Sequence, residues 1–379
     1  MKKVELLAPA GTLKSMRYAF AYGADAVYAG QPRYSLRVRN NDFLEDNLRT
    51  GISEAHALGK QFFLTSNLMP HNSKIKTYIK DLAPIIEMGP DALIMADPGL
   101  IMMVREAWPE MPIHLSVQAN TVNYASVQFW QSIGLERIIL SRELSLEEIE
   151  EIRQQCPDME LEVFVHGALC IAYSGRCLLS GYFNHRDPNQ GTCTNACRWE
   201  YNTVPAQENA EGVYKPMTSN MGDQRNPQAE QVVFIEEKGR PGEYMPMEED
   251  EHGTYIMNSK DLRAVEHVHK LVQIGVDSLK IEGRTKSNYY VTRTTQSYRQ
   301  AIDDAQAGKP FNPELLGVLE NLANRGYTDG FYQRHHTQDY QNYQELEQGE
   351  TAVAVGDGCH DEWKHDLTFV RWSAVERMD

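Results

Sequence analysis

Short apolar runs rich in Val, Ile, Leu and Phe recur along the chain, each followed by a longer amphipathic stretch, the signature of β/α units on a parallel sheet. Eight runs can be read: VELLAPA from Val4, AVYAG from Ala26, QFFLTSN from Gln61, ALIMAD from Ala92, IHLSVQAN from Ile113, RIILSRE from Arg137, LEVFVHG from Leu161 and SLKIEG from Ser278. Successive starts among the first seven lie 21 to 35 residues apart, room for one strand and one helix each. A far longer gap separates the seventh from the eighth. Eight units predict a (β/α)8 TIM-like barrel, with an insertion between strands seven and eight and functional groups at the C-terminal strand ends. A doubly wound open sheet is the alternative. In a barrel, strand eight pairs with strand one and strand two lies on its other side, so the loops after strands two and eight become neighbours on one rim.

The barrel is expected over residues 1–308, with the cysteine-bearing insertion at 168–255. Residues 309–343, rich in turn formers, read as the start of an appended module, and 344–379 as an irregular, truncated tail. A 41% apolar and 24% charged composition is that of a globular chain, and no apolar run approaches the ~20 residues of a membrane span. In MKKVELLAPAG two lysines precede apolar residues, but Glu5 interrupts the run and Pro9 and Gly11 end it. It therefore reads as a buried strand and not as an export signal. A reducing, cytoplasmic setting is the expectation, and there clustered cysteines serve as metal ligands or redox groups more often than as disulfides.

Four of the six cysteines cluster: six residues separate Cys170 from Cys177, fifteen separate Cys177 from Cys193, and three separate Cys193 from Cys197. Sets of four thiolates bind zinc or iron–sulfur clusters, because soft sulfur suits both. Spacing alone does not separate the two, although a single short hook fits a cluster better than a zinc knot with two. The bland reading is four buried thiols acting as small hydrophobes. Cys156 and Cys359 stand apart from the set.

A second constellation is basic. Arg33, Arg37 and Arg39 follow the second run, and Arg284 and Lys286 follow the eighth. Guanidinium forks grip carboxylates and phosphates in a planar, bidentate way, so Arg37, Arg39, Arg284 and Lys286 are the candidate anion site. The net charge of −16 argues against a surface uniformly suited to nucleic acid but leaves room for a basic rim. Further polar residues close the strands: Asn67, Asp97, Gln118, Asn120, Arg142, Glu143, His166 and Glu282. No HExxH, GxSxG or P-loop pattern is present, and no residue identifies itself as a catalytic base.

Residues Glu162 to Ser180, EVFVHGALCIAYSGRCLLS, resemble the signature of peptidase family U32, the collagenase-like peptidases of prokaryotes. LLAPAG, ADAVYAG, RYSLRVRNNDF, VQAN, NACRWEY, KIEGRTKSNYY and NRGYTDGFY also resemble family segments, in family order, over roughly residues 4 to 343. The resemblance implies a 4Fe-4S cluster held by Cys170, Cys177, Cys193 and Cys197. In the branch acting on tRNA it implies prephenate-dependent hydroxylation of the wobble uridine to 5-hydroxyuridine. Two departures stand out. Some relatives take a ligand from a cysteine near the KDL-like segment, where this chain has Arg263, and after Tyr343 the chain no longer resembles relatives that continue into a small β-rich domain. Three functions follow: an iron–sulfur enzyme of tRNA hydroxylation, a U32-type peptidase, for which the sequence offers no nucleophile–base pair or catalytic zinc, or a non-catalytic iron–sulfur scaffold.

Overall fold

The computed structural model describes residues 3–31, 33–36, 42–170, 172–173, 176–177, 260–324 and 326–333, together with the backbone of five short strands between 206 and 255. Seven strands alternate with helices: β1 (Glu5–Pro9), β2 (Ala26–Gly30), β3 (Gln61–Ser66), β4 (Ala92–Met95), β5 (Ile113–Leu115), β6 (Arg137–Ile139) and β7 (Glu160–Ala168). Between them run α1 (Leu13–Ala21), α2 (Glu45–Ala57), α3 (Asn72–Ile86), α4 (Pro98–Ala107), α5 (Tyr124–Ser132) and α6 (Leu146–Gln155). After β7 come β8 (Ala206–Glu208) paired with β9 (Tyr214–Pro216), and an antiparallel sheet of β10 (Val233–Glu236), β11 (Tyr244–Asp250) and β12 (Gly253–Tyr255). The chain returns through β13 (Asp261–Arg263), α7 (Val268–Ile274) and β14 (Ser278–Ile281), then α8 (Asn288–Gln306), α9 (Glu314–Glu320) and β15 (Tyr327–Thr328).

The strand order settles the architecture. β1 to β7 pair in parallel in sequence order, and β14 pairs in parallel with both β1 (Leu6 opposite Leu279) and β7 (Leu279 opposite Val163). With no free edge left between β7 and β1, the sheet is a closed eight-stranded (β/α)8 barrel, and the open-sheet alternative falls. The inserted chain leaves from the C-terminal end of β7, where a barrel accepts extra sequence without disturbing its ladder.

Local chemistry sets the helix starts. Thr12 and Ser145 cap α1 and α6 in reciprocal capping boxes, Asn123 caps α5 and Ser287 caps α8, each supplying an oxygen to an N–H the helix leaves unpaired. Asp97 caps α4 through the amide of Leu100, with Pro98 in the first turn. Its carboxylate, a strand-end candidate by position, is thus committed to the helix start. Leu6, Ala8, Val27, Ala29, Leu93, Ile138, Leu161, Val163 and Leu279 are all buried and make up much of the barrel wall.

Beyond the barrel, β7 runs on to pair antiparallel with β13 (His166 opposite Arg263), and β15 adds in parallel to β13. The register between β7 and β14 shifts between Lys280 and Ile281, so that Phe164 lies opposite Lys280 but His166 lies opposite Ile281. At Gly167 the backbone takes a φ of +107°, and a Cβ there would lie 2.7 Å from the Glu282 carbonyl oxygen. Only glycine lets the two chains approach this closely.

Candidate active site at the barrel mouth

Contacts between strands that are not neighbours identify the side chains inside the barrel. Arg137 on β6 reaches across to Glu5 on β1 at 2.6 Å, and also meets Glu160 at 2.8 Å and Glu162 at 3.3 Å. Glu162 in turn holds Lys280 Nζ at 2.7 Å, and Ser278 donates to Glu5 at 2.7 Å. An ionic chain therefore occupies the N-terminal half of a lumen that is apolar in most barrels. Burial pushes the Lys280 amine below the usual lysine range, with Glu162 opposing. It pushes the His114 imidazole, stacked edge-on against Phe63, well below its ordinary value, so this ring stays neutral.

Toward the C-terminal end the chain passes to aromatic rings. Lys280 Nζ lies 4.4 Å from the Tyr28 ring centre and 5.4 Å from that of Phe164. The Arg142 guanidinium stacks over Phe164 at 4.0 Å, and that of Arg284 lies 5.9 Å from Tyr28. Tyr28 donates its hydroxyl to the Ile281 carbonyl at 3.0 Å, which fixes the ring. Three cations and two rings thus cross the mouth of the barrel in one contiguous path, from the loop after β6 to the loop after β14.

The surrounding rim is polar and interlocked. Asn67, after β3, donates to Gln118 at 2.9 Å and Ser116 at 3.2 Å, and accepts the Leu36 amide at 3.2 Å. Asn120 stands in the left-handed region at φ 53° and donates to the Gln118 carbonyl at 2.9 Å. Arg284 donates to Thr65 at 3.0 Å and to the Leu36 carbonyl. Loops after β2, β3, β5 and β14 are therefore joined, as barrel closure predicts.

The expected anion site is resolved in part. Arg284 spends donors on the loop after β2, Lys286 sits 5.2 Å from the Tyr290 ring, and Arg37 and Arg39 lie outside the described residues. Arg33 pairs with Asp81 at 2.6 Å and is half exposed. Glu143 accepts from Ser141. Arg142, expected on the rim, is there, donating to the Ala168 carbonyl at 2.8 Å.

His166 and Glu282 sit apart from the mouth. His166 is buried among Tyr290 and Tyr298 of α8 and Tyr327 of β15, with ring centres 5.5–5.7 Å away. Tyr298 gives its one hydroxyl proton to the Val165 carbonyl at 2.7 Å, so His166 Nδ1, 3.3 Å from that oxygen, must donate. This fixes the tautomer and leaves Nε2 as an acceptor with no partner among the described residues. Burial, aided by Lys286 and Arg263 and opposed by Glu282, pushes the imidazole down to about 3. The register shift at Lys280/Ile281, which no periodicity reveals, turns His166 toward α8. Glu282 is buried beside it, its amide donating to the His166 carbonyl at 2.8 Å and its own carbonyl accepting the Tyr290 hydroxyl at 2.9 Å.

Of the four expected cluster ligands, Cys170 and Cys177 follow β7 in the chain, the first exposed and the second half-buried. Cys193 and Cys197 lie outside the described residues. The two that are described suit a soft metal group in chemistry and access. Cys156 does not: it is buried at the C-terminus of α6, and burial raises its thiol. Arg263, where some relatives are expected to carry a ligand, pairs with Glu320 and lies 4.9 Å from the Tyr327 ring.

Sequence reasoning missed Glu5, Arg137, Glu162, Lys280, Tyr28 and Phe164. A signal existed. Strands β1, β6, β7 and β14 each carry a charge at an alternate position of an otherwise apolar run, and a buried strand holds a charge only where another strand neutralises it.

The sequence model of peptidase family U32 matches residues 11–342. The chain is 68% identical over 355 residues to tRNA hydroxylation protein P of Escherichia coli, covering 91% of this chain and 78% of that one. It is 64% identical over 354 residues to the protein of the same name from Haemophilus influenzae, covering 90% and 76%. A more distant relative is the 23S rRNA 5-hydroxycytidine C2501 synthase of E. coli, 31% identical over 301 residues, covering 79% of this chain and 39% of that one. The match spans the barrel from α1 onward, the region of the four cysteines and β15, and by it the chain belongs to peptidase family U32.

Proposed function

We propose that the protein is an enzyme of tRNA hydroxylation that converts the wobble uridine to 5-hydroxyuridine with prephenate as co-substrate. The observation that carries this reading is 68% and 64% identity, over about nine-tenths of the chain, to two proteins named for tRNA hydroxylation. An rRNA hydroxycytidine synthase among the relatives agrees with oxidation of a pyrimidine in RNA. A 4Fe-4S cluster on Cys170, Cys177, Cys193 and Cys197 would supply redox chemistry beside the rim. The chain's own residues would bind and orient the substrates there, in a mouth whose cations suit an anionic partner. No helix among the described residues is long and apolar enough to cross a membrane; a tRNA substrate is what supports reading the protein as cytoplasmic.

The peptidase activity in the family's name finds less support. His166 meets a tyrosine and His114 a phenylalanine, where a nucleophilic mechanism needs a base on a serine or cysteine. The deciding experiment is nucleoside analysis of tRNA from cells lacking the protein, then complemented with wild type or single Cys→Ala variants. Loss of 5-hydroxyuridine, restored by wild type and by Cys156→Ala but not by Cys170→Ala or Cys177→Ala, is expected. Unchanged 5-hydroxyuridine in the deletion overturns the reading.

A further inference from the structure

The N-terminal face of the barrel, opposite the mouth, holds a cavity of about 350 Å³ among the starts of β1, β3, β5, β6 and β7. Five carboxylates line it, Glu5, Asp91, Glu136, Glu160 and Asp277, against the two cations Lys3 and Arg137. Both cations are engaged: Lys3 holds Asp25 at 2.6 Å, and Arg137 divides its donors among Glu5, Glu160 and Glu162. Asp277 is met by Arg153 from outside the cavity, and Asp91 accepts the Phe62 amide at 2.7 Å and faces His56 at 3.1 Å. Glu136 stands exposed at the rim, its carboxylate without a partner among the described residues. The cavity therefore keeps a negative surplus. An acidic lining alone is only a solvated patch, but one wall is His114 of β5, 5% exposed, whose Nδ1 is shielded from water and has no partner among the described residues. Its ring meets Phe63 edge-on at 4.7 Å, and burial keeps it neutral. A neutral imidazole always presents one lone pair, and a buried nitrogen left unbonded costs free energy that a proton donor in the cavity can return.

We propose that this cavity binds a small aliphatic diamine or polyamine, with one ammonium group at Glu136, another donating to His114 beside Glu5 and Glu160, and the methylene chain along Phe63 and Pro112. The carboxylates stand on separate strands and loops, so the ligand must carry its charge at spaced points. A bare metal ion fits poorly, because no three His, Cys, Asp or Glu side chains among the described residues converge as one requires. At about 30 Å³ for each water-sized group, the cavity has room for a chain of roughly ten non-hydrogen atoms. In barrels this face carries stability and the opposite one carries chemistry. The bound cation therefore acts on the fold, offsetting negative charge where β1, β6 and β7 begin. The inference is independent of the tRNA reading.

The test is calorimetric titration of the full chain with spermidine, putrescine and magnesium chloride at fixed ionic strength, with thermal melts alongside. Wild type should bind spermidine saturably, one per chain, and melt at a higher temperature with it than in sodium chloride of equal ionic strength. Glu136→Gln should weaken binding by about 3-fold, the worth of one exposed ion pair. His114→Phe keeps the aromatic wall but removes the nitrogen, and should weaken binding by about 5-fold, the worth of one hydrogen bond. Glu147→Gln removes the same charge from an exposed position in the first turn of α6 and should bind as wild type does. That control separates a built site from attraction to an acidic surface at large. If His114→Phe does not fold, Glu136→Gln, which alters an exposed side chain, decides alone. No saturable binding in wild type, undiminished binding in either folded variant, or equal weakening by Glu136→Gln and Glu147→Gln overturns the proposal. So does magnesium binding that matches spermidine in strength and in its dependence on Glu136.

Discussion

Lys280 and Glu162 meet inside the barrel at 2.7 Å, with side chains 4% and 0% exposed, on the adjacent strands β14 and β7. Glu162 also accepts from Arg137 at 3.3 Å, so one carboxylate serves two buried cations. The two halves of the pair are therefore unequal. Glu162→Gln leaves both cations short of charge and should cost about 3–5 kcal/mol. Lys280→Met leaves Glu162 its arginine and should cost distinctly less. Urea unfolding of both variants checks this, and equal losses would show that Arg137 leans on Glu5 and Glu160 alone.

Gly167 faces the start of the loop that carries Arg284. Its φ of +107° and the 2.7 Å approach of the Glu282 carbonyl to a Cβ there act together. Gly167→Ala should lose roughly 1–3 kcal/mol from backbone conformation alone, with the clash added. A lowered melting temperature is the readout, and a neutral result would mean that the β7–β14 junction relaxes without cost.

Stability should depend on pH through buried histidines. The imidazole of His166 is held near 3 by burial, against an ordinary 6.5, and His114 is displaced in the same direction. Above 6.5 both folded and unfolded chains carry these rings neutral. As pH falls below 6.5 the unfolded chain takes up protons that the folded chain refuses, so stability is lost on acidification, by ~1.4 kcal/mol per unit for each ring well below 6.5. Urea midpoints between pH 7 and 5 should show the slope, and His166→Phe should reduce it. An unchanged slope in that variant would place the titration elsewhere.

Arg284 joins two loops, donating to Thr65 at 3.0 Å and to the Leu36 carbonyl. Arg284→Lys keeps the charge but lacks the fork that spans both acceptors. A loss of about 1.5–3 kcal/mol is expected, and the Leu36 amide, which rests on Asn67, should exchange faster with solvent. Unaltered exchange would mean that Asn67 alone holds this loop.

The sequence by itself determined the barrel. Buried parallel strands read as short apolar runs because both faces are covered, and that signal is local; all eight runs became barrel strands. Helix starts were legible for the same reason, since a cap such as Ser145 with Glu148 lies within one turn. Closure brought the loops after β2 and β14 together, as the order of the runs implied. Which charges share the lumen was decided only by the tertiary structure. Glu5 and Arg137 are 132 residues apart in the chain, and no local pattern says that one neutralises the other. The bulge between Lys280 and Ile281 decided that Phe164 meets the mouth while His166, two residues on, is turned into the tyrosine cage. A period of two fixes which face a residue takes only while the ladder stays regular, and that depends on the neighbouring strand.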